Sequence, residues 1–169
     1  MYVSACRDIR RILLMRLPGQ HCSGHLERQL DSKGRVSLPV EWRPPAGEQV
    51  YMIGVKVEGI PALRVLTQAA FDRKLADIEE SREATPAQRD RARGILYGAS
   101  IETKVNEQGK LTLPKAVAEA HGFSLPGAAH LVGRGGLFEI FTPENGVAIQ
   151  AAEERVRESD PVISGMLGF

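Results

Sequence analysis

Two short segments of the chain place a basic residue directly after a glycine turn. Residues 31–35 have the sequence DSKGR, and residues 106–110 have the sequence NEQGK. A turn needs only the glycine and a small polar residue, so the turn does not explain Arg35 and Lys110. A guanidinium at such a position can donate two hydrogen bonds to phosphate oxygens or to the edge of a guanine. The alternative is that both are turn residues whose charges simply face water.

Charge is distributed unevenly along the chain. Residues 1–46 contain eight basic and four acidic side chains, whereas residues 99–169 contain six basic and nine acidic ones. The net charge of the whole chain is only +1. A basic amino-terminal part indicates an anionic partner on that side, although a short chain also acquires such differences by chance.

Other groups of chemically active residues are weak candidates. Cys6 and Cys22 are too few for a disulfide scaffold or a four-cysteine metal site. His21, Cys22 and His25 are close in sequence, but their spacing matches no standard metal-ligand pattern. No nucleophile elbow or Ser/His/Asp order occurs. We therefore expect no enzyme, no metal site and no cofactor.

The two glycine turns lie in segments that are copies of one another. Residues 24–39, GHLERQLDSKGRVSLP, align with residues 99–114, ASIETKVNEQGKLTLP. Matches in the same order along the chain indicate two repeats of one unit. The further matches are 52–54 with 131–133 and 63–67 with 138–142.

Each repeat is predicted to be a small β-module. Apolar and polar residues alternate after each glycine, which is typical of a half-buried strand, and Pro39 and Pro114 end these strands. A short helix and a hairpin should follow in each copy. Because strand pairs of this size bury too little apolar surface alone, the two copies are expected to close on each other.

Three longer helices have clear start signals. Thr67 and Thr142 can cap helices, and the sequence from Thr85 to Gln88 combines a capping box with a proline at the first helical position. The apolar spacing of the helix after Thr85, which should run to about Tyr97, predicts that it buries Ala92, Ile95 and Leu96.

The repeated unit resembles the AbrB/SpoVT swapped-hairpin DNA-binding module, and the tandem arrangement resembles the MraZ family of transcriptional regulators. That family carries a D-x-x-x-R signature in each half. Residues 30–43, LDSKGRVSLPVEWR, fit its pattern LDxKGRVxLPxxWR throughout. The resemblance extends from about Gly24 to about Val147. In the second half, Asn106 and Lys110 replace both signature residues.

The resemblance implies a β-rich α+β fold, in which two AbrB-like swapped-hairpin β units form one intrachain pseudo-symmetric barrel with peripheral helices. It also implies a homo-oligomeric ring that binds double-stranded DNA at repeated promoter boxes. The expected function is repression of the division and cell-wall gene cluster, including the protein's own operon, in the cytoplasm at the nucleoid. The expected DNA-binding residues are Arg28, Asp31, Lys33, Arg35, Arg43, Asn106 and Lys110.

An alternative function is an AbrB-like antitoxin or protein-interaction module that holds a protein partner. Antitoxins of that kind usually have one unit and a disordered tail that binds the toxin. This chain has two units, and its final stretch, Ser159 to Phe169, is short.

The sequence divides into five segments. We expect a basic, poorly ordered amino-terminal extension over residues 1–22 and a first unit over 23–67. A helical connection over 68–98 should lead to the second unit over 99–147, and a C-terminal helix and tail should occupy 148–169.

We expect that the amino-terminal extension is not a secretory signal, because its apolar stretch, residues 12–15, is shorter than the ~7–15 residues required. No apolar run in the chain approaches the ~18–20 residues of a membrane-spanning helix. The extension could be a basic arm, a short amphipathic helix, or the result of a true start at Met15.

Overall fold

The structure, a computed structural model, describes residues 21–169. The predicted basic extension therefore lies, except for its last two residues, outside the described part of the chain. The strands are β1 (His25–Leu30), β2 (Arg35–Ser37), β3 (Gln49–Val57), β4 (Ile60–Thr67), β5 (Ser100–Lys104), β6 (Lys110–Thr112), β7 (Gly127–Gly133) and β8 (Leu137–Phe141). The helices are a 3-10 helix (Val40–Trp42), α1 (Gln68–Glu80), α2 (Pro86–Ala99), α3 (Lys115–Ala120), α4 (Pro143–Ser159) and α5 (Pro161–Leu167).

The eight strands form one antiparallel sheet in the order β5-β3-β4-β8-β7-β1-β2-β6. An isolated bridge between Val105 and Leu111 joins the end of β5 to β6, so the two edges of the sheet almost meet. The result is a nearly closed barrel with helices around it. This confirms the predicted β-rich α+β fold. Among the described residues, no helix combines the length and apolar character needed to cross a membrane.

The two repeats exchange strands. Strand β1 pairs with β7 of the second repeat, and β5 pairs with β3 of the first. Leu26 faces Leu131 in one of these pairs, and Ile101 faces Met52 in the other. These two facing pairs occupy the same columns of the repeat alignment, so the register confirms the internal repeat in three dimensions.

The barrel interior is filled by the inward residues of both repeats. Val36 and Leu111 face each other between β2 and β6, and both are fully buried. Leu38 and Leu113 continue the same layer, and Trp42 packs on a phenylalanine of β8. Burying one aliphatic side chain of this size stabilises a fold by about 1.5–3 kcal/mol.

An ion pair between a half-buried arginine and a buried carboxylate lies where β4 and β8 meet. Arg64 faces Glu139, and the two residues occupy equivalent positions in the repeats. Glu139 is 1% exposed, and its two carboxylate oxygens accept from Arg64 Nη2 at 2.6 Å and from Arg134 Nε at 2.8 Å. Arg134 Nη2 also lies 2.6 Å from Glu153 Oε1, although it is misaligned for a hydrogen bond. If the two repeats were identical in sequence, these equivalent positions would hold two like charges, which repel each other. The opposite charges of Arg64 and Glu139 therefore favour the pairing of the first repeat with the second.

The three predicted helix starts are confirmed. The hydroxyl oxygens of Thr67, Thr85 and Thr142 each accept a hydrogen bond from a backbone N–H three residues later, and Thr85 forms the complete capping box. The prediction for Ile95 is wrong, because its side chain is 64% exposed, whereas Ala92 and Leu96 are partly buried. Helix α2 contains no buried residue, since it packs mainly on α1.

Each glycine turn is bonded to the other repeat. Gly34 has a φ of +75° and its carbonyl accepts from Leu113 N–H at 2.8 Å. Gly109 has a φ of +74° and its carbonyl accepts from Leu38 N–H at 2.9 Å. A Cβ atom on Gly34 would lie 2.3 Å from the carbonyl oxygen of Leu113, so glycine is required there for space as well as for conformation.

We predict that Gly34→Ala destabilises the protein far more than Gly24→Ala. Gly24 also has a positive φ, of +85°, but no atom lies within 4 Å of a Cβ placed there. The control should lose about 1–2 kcal/mol through backbone strain alone. Gly34→Ala must also displace a backbone carbonyl, so we expect a further loss of at least about 2 kcal/mol. Urea unfolding would measure both, and equal losses would contradict the interlocked turns.

Candidate nucleic-acid interface

The two turns are built by the same hydrogen bonds. Asp31 Oδ1 accepts from the backbone N–H groups of Lys33 and Arg35, both at 2.9 Å. In the second turn, Asn106 Oδ1 accepts from the N–H groups two and four residues later, at 3.0 and 2.9 Å. The amide oxygen of Asn106 therefore accepts the same two backbone hydrogen bonds as the carboxylate oxygen of Asp31. The change from Asp31 to Asn106 keeps the turn and removes a charge.

The carboxylate of Asp31 also holds the side chain of Arg35. Arg35 Nε donates to Asp31 Oδ2 at 2.7 Å, and each side chain is 35% exposed. The backbone N–H of Arg35 is the main cause that lowers the pKa of Asp31, and the guanidinium and the N–H of Lys33 add to it. The other Arg35 nitrogens, Nη1 and Nη2, have no hydrogen-bond partner among the described residues. The guanidinium is thus oriented at one edge and free at the other.

Strands β2 and β6 form a two-stranded ribbon, here called the β2–β6 ribbon. Arg35 faces Thr112, and Ser37 faces Lys110. Since side chains alternate along a strand, these four residues share the outward face while the residues between them fill the barrel. The strands are antiparallel, so the two basic residues lie at diagonally opposite corners of the ribbon. A two-stranded ribbon fits the width of the DNA major groove.

The remaining predicted residues have different surroundings. Lys33 is exposed in the first turn, and Arg28 is half-buried on β1, where its Nη1 donates to the carbonyl of Glu27 at 3.1 Å. Arg43 donates from Nε and Nη2 to the carbonyl of Leu38 at 3.0 and 2.9 Å. Its guanidinium lies against Gly109, where an added Cβ would be 2.1 Å from the arginine Cζ. The Arg43 side chain therefore packs directly against the second turn and supports it.

Ser37 and Thr112 were not among the predicted DNA-binding residues, although the predicted alternation already placed Ser37 opposite the buried residues of its strand. Ser37 follows Arg35 by two positions, and Thr112 follows Lys110 by two positions. The two-residue period of a strand therefore predicts that each hydroxyl residue faces the same way as its basic neighbour. Their hydroxyl groups can donate to or accept from a phosphate or a base edge.

Cys22 and His25, from the histidine and cysteine cluster of the sequence, contact other residues of the fold. Cys22 is buried, and burial raises the pKa of its thiol to about 12. His25 Nδ1 lies 2.9 Å from His130 Nε2, and burial and the neighbouring His25 lower the pKa of His130. Within residues 21–169, no three or more His, Cys, Asp or Glu side chains are grouped so as to hold a metal ion.

We predict that Asp31→Asn removes a pH-dependent part of the stability while the turn is kept. The lowered pKa means that ionised Asp31 stabilises the fold fully above its unfolded pKa of about 3.9, and that this contribution is lost as the pH falls through the lower folded value. Asparagine keeps the Oδ1 acceptor and does not titrate. The stability difference between wild type and variant should stay constant from pH 7 to 5 and shrink below pH 4 in urea unfolding.

Asp31→Ala serves as the control for this experiment. Alanine removes the acceptor of both backbone N–H groups, so it should be less stable than Asp31→Asn at every pH. A difference between wild type and Asp31→Asn that does not change with pH would contradict the role of the charge.

The chain is similar in sequence to several bacterial transcriptional regulators. No family model matches it. It is 25% identical over 130 residues to the transcriptional regulator MraZ of Rickettsia bellii (strain OSU 85-389), covering 73% of this chain and 81% of that protein. The MraZ regulators of Rickettsia canadensis and Mycoplasmopsis pulmonis are 27% and 28% identical over 120 and 119 residues, which cover 69% and 70% of this chain and 77% of each of theirs. The chain is therefore a homologue of the MraZ transcriptional regulators.

Proposed function

We propose that this protein is a transcriptional regulator that binds double-stranded DNA through the β2–β6 ribbon and its two turns. The observation that carries the proposal is the geometry of Arg35, whose Nε is held by Asp31 while both Nη nitrogens are free among the described residues. A guanidinium that is oriented in advance loses less conformational entropy when it donates to a base. The names of the homologues, transcriptional regulators, support the same function, as opposed to catalysis.

The two halves make different contributions in this proposal. Arg35 can donate two parallel hydrogen bonds, which is the geometry that distinguishes a guanine from other bases. Lys110 is a hydrated point charge on a flexible stem, suited to a phosphate. Lys33 and Arg28 add phosphate contacts, and Arg43 and Asn106 act by holding the second turn. The first half thus reads sequence, and the second mainly supplies charge.

Several subunits are required for useful affinity, because one ribbon offers few residues that can read bases. Binding of repeated promoter boxes by a homo-oligomeric ring would supply that affinity through multivalency. Exposed apolar side chains on the helices offer contact area between subunits. They are Ile95, Tyr97, Val147, Val162, Met166 and Leu167.

The proposed target is the division and cell-wall gene cluster, including the protein's own operon, with repression as the outcome. This target follows from the resemblance of the tandem units over residues 23–67 and 99–147 to the MraZ family. A repressor of that gene cluster would act in the cytoplasm at the nucleoid.

A gel-shift experiment tests DNA binding directly. DNA from upstream of the protein's own operon should bind more tightly than random DNA of the same length. The logarithm of the affinity should fall linearly with the logarithm of salt concentration, with a slope of roughly 0.9 for each phosphate contact in duplex DNA. Absence of binding to any promoter fragment at low salt would contradict the proposal. A stable complex with a protein partner instead would favour the antitoxin-like alternative.

Two matched variants test the division of labour between the halves. Arg35→Ala should reduce the preference for operator over random DNA by about tenfold or more, since a bidentate base contact contributes about 1–3 kcal/mol of discrimination. Lys110→Ala should weaken binding to both DNAs and keep their ratio within about twofold, since a phosphate contact is independent of sequence. Both variants should keep the wild-type melting temperature within a few degrees. Equal loss of preference in both variants would contradict the assignment.

A further inference from the structure

Two histidines, one from each repeat, meet beneath helix α4. His25 is the first residue of β1 and His130 lies in β7, and these strands pair with each other where the repeats exchange strands. The Nδ1 atom of His25 is 2.9 Å from the Nε2 atom of His130, which is a hydrogen-bond distance, and the ring centroids are 5.2 Å apart. His25 and His130, here called the histidine pair, therefore join the repeats through their side chains as well as through the backbone.

The two members of the histidine pair differ in their access to water. His130 is 7% exposed, whereas the side chain of His25 is 28% exposed and lines a cavity beside α4 and α5. Helix α4 covers the His130 ring closely, since a Cβ atom on Gly146 would be only 2.4 Å from the Cγ atom of His130. The His25 ring can therefore turn toward solvent, whereas the His130 ring cannot move toward α4 without displacing the helix.

The charges next to His25 favour a proton on its ring. Glu153 of α4 places its Oε2 atom 3.6 Å from His25 Nε2, so its carboxylate stabilises an imidazolium at this position. The other oxygen of Glu153 lies 2.6 Å from Nη2 of Arg134, which is in the turn between β7 and β8. The arginine keeps the carboxylate ionised and in place beside the histidine.

The surroundings of His130 disfavour a proton on its ring. Burial is the main cause that lowers the pKa of His130, and the neighbouring His25 lowers it further. Glu27, which faces His130 in the register of β1 and β7, acts on this pKa in the opposite direction. Other charged groups of the described residues around the pair form ion pairs with one another or line the cavity beside His25. They are Glu58 of the β3–β4 turn, Arg64 of β4, Glu139 of β8, and Glu154 and Arg157 of α4.

These contacts define three protonation states of the histidine pair. When both rings are neutral, one nitrogen donates and the other accepts across the 2.9 Å contact. One added proton on His25 leaves its Nδ1–H donating to His130 and directs its Nε2–H toward Glu153. A second added proton puts an N–H on His130 Nε2, so that two donors and two positive charges face each other and the hydrogen bond is lost.

We propose that the histidine pair is a pH-sensitive contact between the two repeats, which is intact with at most one added proton and is broken by a second. The second proton drives the His25 ring toward solvent and weakens the pairing of β1 with β7. Because β1 ends at Leu30, directly before the first turn, acidic pH thereby weakens the strand exchange that closes the barrel. The contact acts on the fold, so it does not depend on whether the ribbon binds DNA.

Urea unfolding of the full chain and of H130Q, between about pH 7.5 and 5.5, tests the proposal. Glutamine keeps an amide group that can hydrogen-bond to His25, and it does not titrate. Unfolded His130 takes up a proton near the ordinary histidine pKa of about 6.5, whereas folded His130 takes it up only at lower pH. The unfolded state therefore binds more protons, so the unfolding constant of the wild type should rise relative to that of H130Q below about pH 6.5, by up to about tenfold for each pH unit. Above that pH the ratio of the two constants should not change.

The variant H21Q is the matched control, because it also removes one histidine. His21 is exposed and lies outside the histidine pair, so H21Q should keep the pH dependence of the wild type. If the wild type and H130Q have the same pH dependence, the proposal is overturned. An equally reduced pH dependence in H21Q and H130Q would show an effect of losing any histidine and would overturn it as well.

A second measurement separates coupling within the pair from the burial of His130 alone. Hydrogen–deuterium exchange at the imidazole Cε1 carbon, followed by mass spectrometry, reports the protonation of each histidine in an assembly of any size. In H25Q the contact has no charge on the β1 side, so His130 should take up its proton at higher pH than in the wild type. Because His25 is partly exposed, this variant also tests the proposal if H130Q does not fold. An unchanged midpoint for His130 would show that burial alone suppresses its protonation and would overturn the proposal.

Discussion

The structure depends on the reciprocal hydrogen bonds between each glycine turn and the other repeat. The carbonyl of Gly34 accepts from Leu113 N–H, and the carbonyl of Gly109 accepts from Leu38 N–H. Neither turn is complete until the two halves have closed, because each one obtains a backbone partner from the other half. The outward face of the β2–β6 ribbon, which lies between the turns, is therefore a product of the exchange and belongs to neither repeat alone.

The pseudo-two-fold arrangement gives the halves one geometry and different chemistry. At the junction of β4 and β8, equivalent positions hold Arg64 and Glu139, and the buried carboxylate has two guanidinium partners. At the turns, Asp31 orients an arginine, whereas Asn106 keeps only the backbone bonds. The two turns thus present one guanidinium that is held by a carboxylate and one lysine whose turn residue carries no charge.

Much of the fold follows from local sequence chemistry, whereas the support of the site does not. The turns and the caps at Thr67 and Thr85 were predictable because each depends on residues within a few positions of one another, and the repeat was predictable because its two copies can be aligned. The position of Arg43 under Gly109 joins residues 66 positions apart and leaves no local pattern. Ile95 was predicted to be buried because helical periodicity marks an apolar stripe without showing whether a partner covers it.

The central claim is that one face, made jointly by both repeats, binds DNA. Hydrogen–deuterium exchange of the full chain, with and without operator DNA, measures this directly. The account predicts that DNA slows backbone exchange in residues 31–37 and 106–112, while α1 and α2 exchange at unchanged rates. Protection confined to α1 and α2, or to the turn of one repeat alone, would contradict it.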